Sequence, residues 1–184
     1  MEKRFKLSVA VVALAIGHSG IAAVNAMDGA KDGAQNFYKQ YLGLRATGKV
    51  SGILNPGQLA QLGPLLTPQL RSLFSQAFKE QTRCRKLFPE DIPPWVDGDI
   101  FTSSAEGFTS FTPTDSKAQA NARTVSITFN YAEKKSKVQW TDTVSMREVG
   151  GVWLVDDVFY RATFAFTSGF GSHLQGSLKE LPAC

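Results

Sequence analysis

Apolar and polar positions fall into two regimes along this chain, a helical one before Pro89 and a two-residue one after it. Ala34, Phe37, Tyr38, Tyr41 and Leu44 recur every three to four residues, and Gly48 follows as a stop, so residues 31–47 are expected to form an amphipathic helix. Asn55-Pro56-Gly57-Gln58 supplies an N-cap, a proline at the first helical position and a capping-box glutamine, which opens a short helix through Leu62. Thr67-Pro68 repeats the start signal. Leu70, Leu73, Phe74, Ala77, Phe78 and Gln81 then line one face of a long helix that leads to Cys84, placing Cys84 on or beside the buried stripe.

At Pro89 the composition changes. Pro93-Pro94 forbids continued helix, and a stretch rich in Gly, Thr and Ser begins. Val125, Ile127, Phe129 and Tyr131 alternate with Thr124, Ser126, Thr128 and Asn130, the pattern of a half-buried strand. Ala132 to Ser136 is expected to turn, and the return strand sets Val138, Trp140, Val144 and Met146 on one face. A second turn over Glu148–Gly151 leads into Val152–Phe166, apolar on both faces as a long central strand would be. A last helix, with Ser172 as its candidate cap, carries Leu174, Leu178 and Leu181 on the side that Cys184 continues. Helices first and an antiparallel meander afterwards predict an α+β fold, N-terminal helices packed on a curved antiparallel sheet.

The first 26 residues stand apart from this plan. Lys3, Arg4 and Lys6 precede an apolar run from Leu7 to Ile16 and then small residues ending in Val24-Asn25-Ala26, the order of a secretory signal peptide. Gly17, His18, Ser19 and Gly20 interrupt the apolar run well short of the roughly 18 residues a membrane span needs. Residues 1–26 are therefore read as a signal peptide and 27–184 as a single domain, periplasmic or secreted, with no membrane span after cleavage. The formal charge of +4 for 184 residues falls to +2 when Glu2, Lys3, Arg4 and Lys6 leave with the signal. Arg83, Arg85 and Lys86, like Lys134, Lys135 and Lys137, are short separate basic clusters of a solvated surface, so no nucleic-acid partner is expected. An exported chain with two cysteines permits one intramolecular disulfide, Cys84 to Cys184; the alternative is that Cys84 is simply a buried thiol.

Phe37-Tyr38-Lys39-Gln40-Tyr41-Leu42, Gly98-Asp99-Ile100-Phe101-Thr102-Ser103, Glu106-Gly107, Trp140-Thr141-Asp142-Thr143 and Trp153-Leu154-Val155-Asp156-Asp157-Val158 carry a resemblance. Together with the order of elements over residues 34–166, they are similar to the NTF2-like (cystatin-like, cone-shaped) superfamily and, within it, to small bacterial exported proteins of unassigned function. The resemblance implies a cone whose concave face often lines a cavity, where some members use an aspartate as general base. It identifies no residue here as catalytic.

Candidate chemistry is sparse. Asp142 falls in the inward register between Trp140 and Val144, where a carboxylate is a perturbed-pKa candidate; an Asp that fixes the sheet is the competing reading. Asp156 and Asp157 must face opposite ways unless a bulge intervenes, and odd numbering selects Asp157 to join Asp142 as a second catalytic candidate; otherwise the pair pins the strand. Trp95 in its proline-rich loop, with Tyr131, Trp140 and Tyr160, are the candidate ligand-binding aromatics. His173 is the only histidine after residue 26 and the cysteines lack zinc spacing, so no metal is expected. No G-x-S-x-G, P-loop or G-x-G-x-x-G is present, and no cofactor is implied. The leading expectation is a non-enzymatic envelope protein that binds a small ligand or another protein through the cone mouth. The alternatives are a small cavity enzyme of isomerase or lyase type using Asp142 with Tyr131 or Tyr160, and a structural part of an envelope assembly.

Overall fold

A computed structural model of the chain describes residues 19–48, 50–119, 122–133, 136–163 and 171–180, with side chains from residue 29 onward apart from Glu133 and Ser136. The elements run α1 (Ser19–Arg45), α2 (Pro56–Leu62), a one-turn 3-10 segment (Gly63–Leu65), α3 (Pro68–Leu87), β1 (Ser110–Gln119), β2 (Ala122–Glu133), β3 (Ser136–Val149), β4 (Val152–Phe159) and α4 (Leu174–Lys179). The strands form an antiparallel meander in sequence order β1-β2-β3-β4. The fold is α+β, with the long helices N-terminal to a curved four-stranded sheet.

Helix starts follow the local chemistry. Asn55 and Gln58 close the capping box of α2, with Gln58 Oε1 accepting from Asn55 N at 2.8 Å and Asn55 Oδ1 from Gln58 N at 3.0 Å. Thr67 caps α3, which buries Leu70, Leu73, Phe74, Ala77, Gln81 and Cys84 along the stripe that the spacing predicts. α1 differs from its predicted bounds: it begins at Ser19, inside the segment read as a signal peptide. Among the residues whose side chains are described, its core-facing stripe runs through Ala30, Ala34, Phe37, Tyr38 and Tyr41. Gly29 and Gly33, one turn apart, let α1 approach β4; a Cβ on Gly33 would lie 2.7 Å from Trp153 O.

Three further expectations are corrected. β1 was not foreseen as a strand: Ser110–Gln119 holds Pro113 and Asp115 and little alternation, and it forms by pairing with β2 around a bulge between Pro113 and Ser116. The strand expected to run from Val152 to Phe166 and to lie centrally ends at Phe159 and sits at the sheet's edge; residues 164–166 lie outside the described residues. Its apolar character has another cause, since that edge is covered. Leu66 bridges to Val155, with Thr67 N donating to Val155 O at 2.9 Å, and Phe159 bridges to His173. The cap of α4 is His173 rather than Ser172, and Leu181 and Cys184 lie outside the described residues.

α1 touches all four strands and forms the lid of the core. Beneath it Phe37, Tyr38, Tyr41, Phe101, Phe108 and Phe129 pack with ring centroids about 5–6 Å apart, mostly edge-on or tilted, an arrangement that suits the ring quadrupoles.

Candidate functional site

Between α3 and β1 the chain dives inward without regular structure. Asp99, Ile100, Phe101, Thr102, Ser103 and Ser104 are all buried. A buried loop must find partners for its backbone, since water cannot reach it. Here side chains supply them: Tyr38 OH donates to Phe101 O at 2.8 Å and Tyr160 OH to Ile100 O at 2.7 Å. Burial raises the pKa of both phenols, which keeps them protonated as these bonds require.

Two carboxylates hold the ends of the loop. Asp142, fully buried, receives Thr102 Oγ1 at 3.1 Å, Ser103 N at 2.7 Å, Trp140 Nε1 at 3.1 Å and Arg161 N at 2.9 Å, and a short bond from Ser103 Oγ. The inward register anticipated for Asp142 is correct: its side chain is fully buried. Asp99 accepts from Tyr41 OH and Phe101 N, both at 2.9 Å, through Oδ1. Its Oδ2 lies 3.2 Å from Arg45 Nε, close enough for an ion pair, yet meets no hydrogen-bond geometry. Burial pushes the Asp99 carboxyl up to about 6, and the pull of Arg45, Phe101 N and Tyr41 in the opposite direction offsets only part of that. Arg45 in turn donates to Phe108 O at 3.0 Å and Glu106 O at 2.9 Å. Gly107, at φ +76°, makes room for it, because a Cβ there would overlap the guanidinium.

Asp157 does not join Asp142. β4 bulges opposite Ser145 and Met146, so that Val158 pairs with Val144 while Asp157 pairs with Ser145. Both Asp156 and Asp157 are buried, and each is spoken for: Asp156 by Thr67 Oγ1 at 3.0 Å and Arg147 Nη2 at 3.1 Å, Asp157 by Gln175 N at 2.9 Å and His173 Nδ1 at 2.7 Å. These bonds pin α3 and α4 to the strand. Asp157 therefore does not pair with Asp142 for acid–base work; the carboxylate that does lie near Asp142 is Asp99, at the other end of the loop.

The four candidate aromatics do not converge either. Trp140 is buried, stacked on Phe129, with its indole N–H shared between Thr102 and Asp142. Tyr160 faces the loop at Ile100, and Tyr131 lines a shallow depression on the β2–β3 hairpin beside Lys137 and Val138. Trp95 alone stands at a substantial opening. A cleft of about 470 Å³ is lined by Ile92, Pro93, Trp95, Val96, Asp97, Gly171, Ser177 and Glu180, between the 92–97 loop and α4. On the other side of Asp97 a polar cleft of about 380 Å³ is lined by Arg45, Val50, Ser51, Gly98, Asp99, Ala105 and Glu106. Among the described residues no group of three or more His, Cys, Asp or Glu side chains is arranged to hold a metal, and no helix is long and apolar enough to cross a membrane.

The Trp95 wall is held in an unusual conformation. Trp95 has φ +52°, costly for a bulky residue, and Ile53 N at 3.0 Å and Gln81 Nε2 at 3.2 Å donate to its carbonyl while Gln81 also reaches Pro94 O at 2.7 Å. Gly52 permits the approach, since a Cβ there would lie 1.9 Å from Trp95 O. The sequence singles out Trp95 in its proline-rich loop but carries no local signal that Ile92, Asp97 and α4 join it at the cleft.

No family model matches the chain. No curated protein matches it either. Among solved structures it is similar to a protein of unknown function from Bacteroides thetaiotaomicron VPI-5482, at 14% identity, covering 74% of this chain and 93% of that chain, with a TM-score of 0.40.

Proposed function

We propose that this chain is an exported, non-catalytic binding protein built on an NTF2-like domain, which takes its ligand at the Trp95 cleft on the rim instead of inside the cone. The observation that carries this reading is the state of Asp142: fully buried and beset by five donors. A general base must reach a substrate proton within about 3 Å, and this carboxylate is spent on holding the 99–104 loop. The Trp95 cleft, by contrast, is open, mainly apolar along the loop and polar along α4, the mixture that ligand sites use. The signal-like N-terminus supports a periplasmic or secreted location, and the capping and meander pattern supports the NTF2-like architecture.

The test is recovery of the mature protein from its native envelope as wild type and as Ile92→Ser, with whatever is bound identified by native mass spectrometry. Ile92 is 84% exposed, so the substitution leaves the fold intact. The expected result is a bound species in the wild type that the variant holds less well. A species retained equally by both, or a turnover that survives Ile92→Ser and disappears in Asp142→Asn, would overturn the reading.

A further inference from the structure

We infer that the Trp95 cleft binds an extended peptide segment that carries a lysine or arginine beside an apolar side chain. This rests on the rim-cleft reading above and adds the ligand's chemistry. The loop side offers Ile92, Pro93, Trp95 and Val96, and the remaining charged lining is Asp97 and Glu180, both exposed. No basic residue lines this cleft among the described residues. The neighbouring Lys179 has its Nζ turned to Gln175 Oε1 at 3.3 Å. A chain of net positive charge thus presents a locally acidic opening, which attracts cations and repels anionic ligands.

Extended shape follows from what surrounds the cleft. Asp97 is common to both clefts, so a cation held there has apolar surface on one side and, on the other, the polar hollow bearing Ser51, Glu106 and Arg45, whose guanidinium is already engaged by Asp99 and by the carbonyls of Glu106 and Phe108. A small molecule fills one hollow and leaves the rest uncovered; a strand of several residues covers both. The clamped Trp95 backbone adds a wall already in its bound shape, which lowers the ordering cost of binding.

Three acetylated, amidated hexapeptides test this: alternating leucine and lysine, leucine and glutamine, and leucine and glutamate, each titrated up to about 1 mM by calorimetry into the mature protein. The lysine peptide is expected to bind at least tenfold more tightly than the glutamine one and the glutamate peptide not at all, with affinity falling in 0.5 M salt. Combining Asp97→Asn with Glu180→Gln should weaken the lysine peptide about tenfold and flatten the salt dependence, and Ile92→Ser should weaken it independently. If the glutamine or glutamate peptide binds as tightly and depends on Ile92, the charge inference fails while the rim cleft stands. Lysine-peptide binding unaffected by Ile92→Ser defeats the cleft reading as well. Spermidine competing at equal concentration, or no peptide binding at all, overturns the peptide inference.

Discussion

Asp99 and Asp142 do similar jobs at the two ends of one buried loop, but their surroundings differ in a way that pH exposes. Asp142 has a donor for every direction, whereas Asp99 has an oxygen without a hydrogen bond and a carboxyl lifted from an ordinary 3.8 to about 6. A carboxyl whose pKa is higher folded than unfolded favours the folded state most when protonated in both comparisons. Its contribution is therefore complete below about pH 4 and is lost as pH rises through about 6, an upper bound of about 3 kcal/mol at about 1.4 kcal/mol per unit. Urea unfolding of wild type and Asp99→Asn across pH 4–7 measures it: the wild type should lose stability relative to the variant as pH rises, and parallel pH profiles would show that Asp99 titrates normally. Asp142→Asn should lower stability at every pH in that range, because an amide offers one acceptor where five donors converge.

Elements were legible where the buried side belongs to the element itself. α2 and α3 carry their own caps and stripes, and β2 and β3 alternate, so these segments came out where the pattern put them. β1 was invisible because its half-exposed residues carry no alternation and its register is supplied by β2. α1 depends on close approach, which spacing does not reveal. Gly33→Leu should drive a side chain into the Trp153 backbone, 2.7 Å from where its Cβ would sit, and so lift α1 off β4. A loss of about 2–4 kcal/mol is expected by denaturant unfolding. Gly43→Leu on the same helix, where nothing lies within 4 Å of the added Cβ, should be neutral or stabilising by up to about 1 kcal/mol, since glycine is a poor helix former.

For the whole molecule, the pairing of Cys84 with Cys184 remains a proposal that the stripe of α3 motivates. Cys84 is 4% exposed on the face that α3 turns to the body, and α4 packs against α3. Cys184 lies outside the described residues. A bridge would close a loop of roughly 100 residues and stabilise by up to about 5 kcal/mol in the chain-entropy model. Thiol titration of the exported protein under denaturing, non-reducing conditions should find no free thiol, and reduction should lower the unfolding midpoint; two titratable thiols would refute the bridge.

The sequence by itself determined the signal-like N-terminus, the order of the helices and of β2, β3 and β4, the stripes that face the core and the inward placement of Asp142. Each of these is written in residues a few positions apart, through capping, periodicity or composition. Only the tertiary structure decided the rest: that β4 is a covered edge and bulges to turn Asp157 away from Asp142, that the 99–104 segment is buried and held by two carboxylates, and that Trp95 meets Asp97 and α4 at a cleft. Those outcomes depend on partners some 40 to 90 residues distant, such as Ser103 for Asp142 and Thr67 for Asp156. Local periodicity reports which side of an element is buried, but the groups that meet there are chosen by how the elements pack.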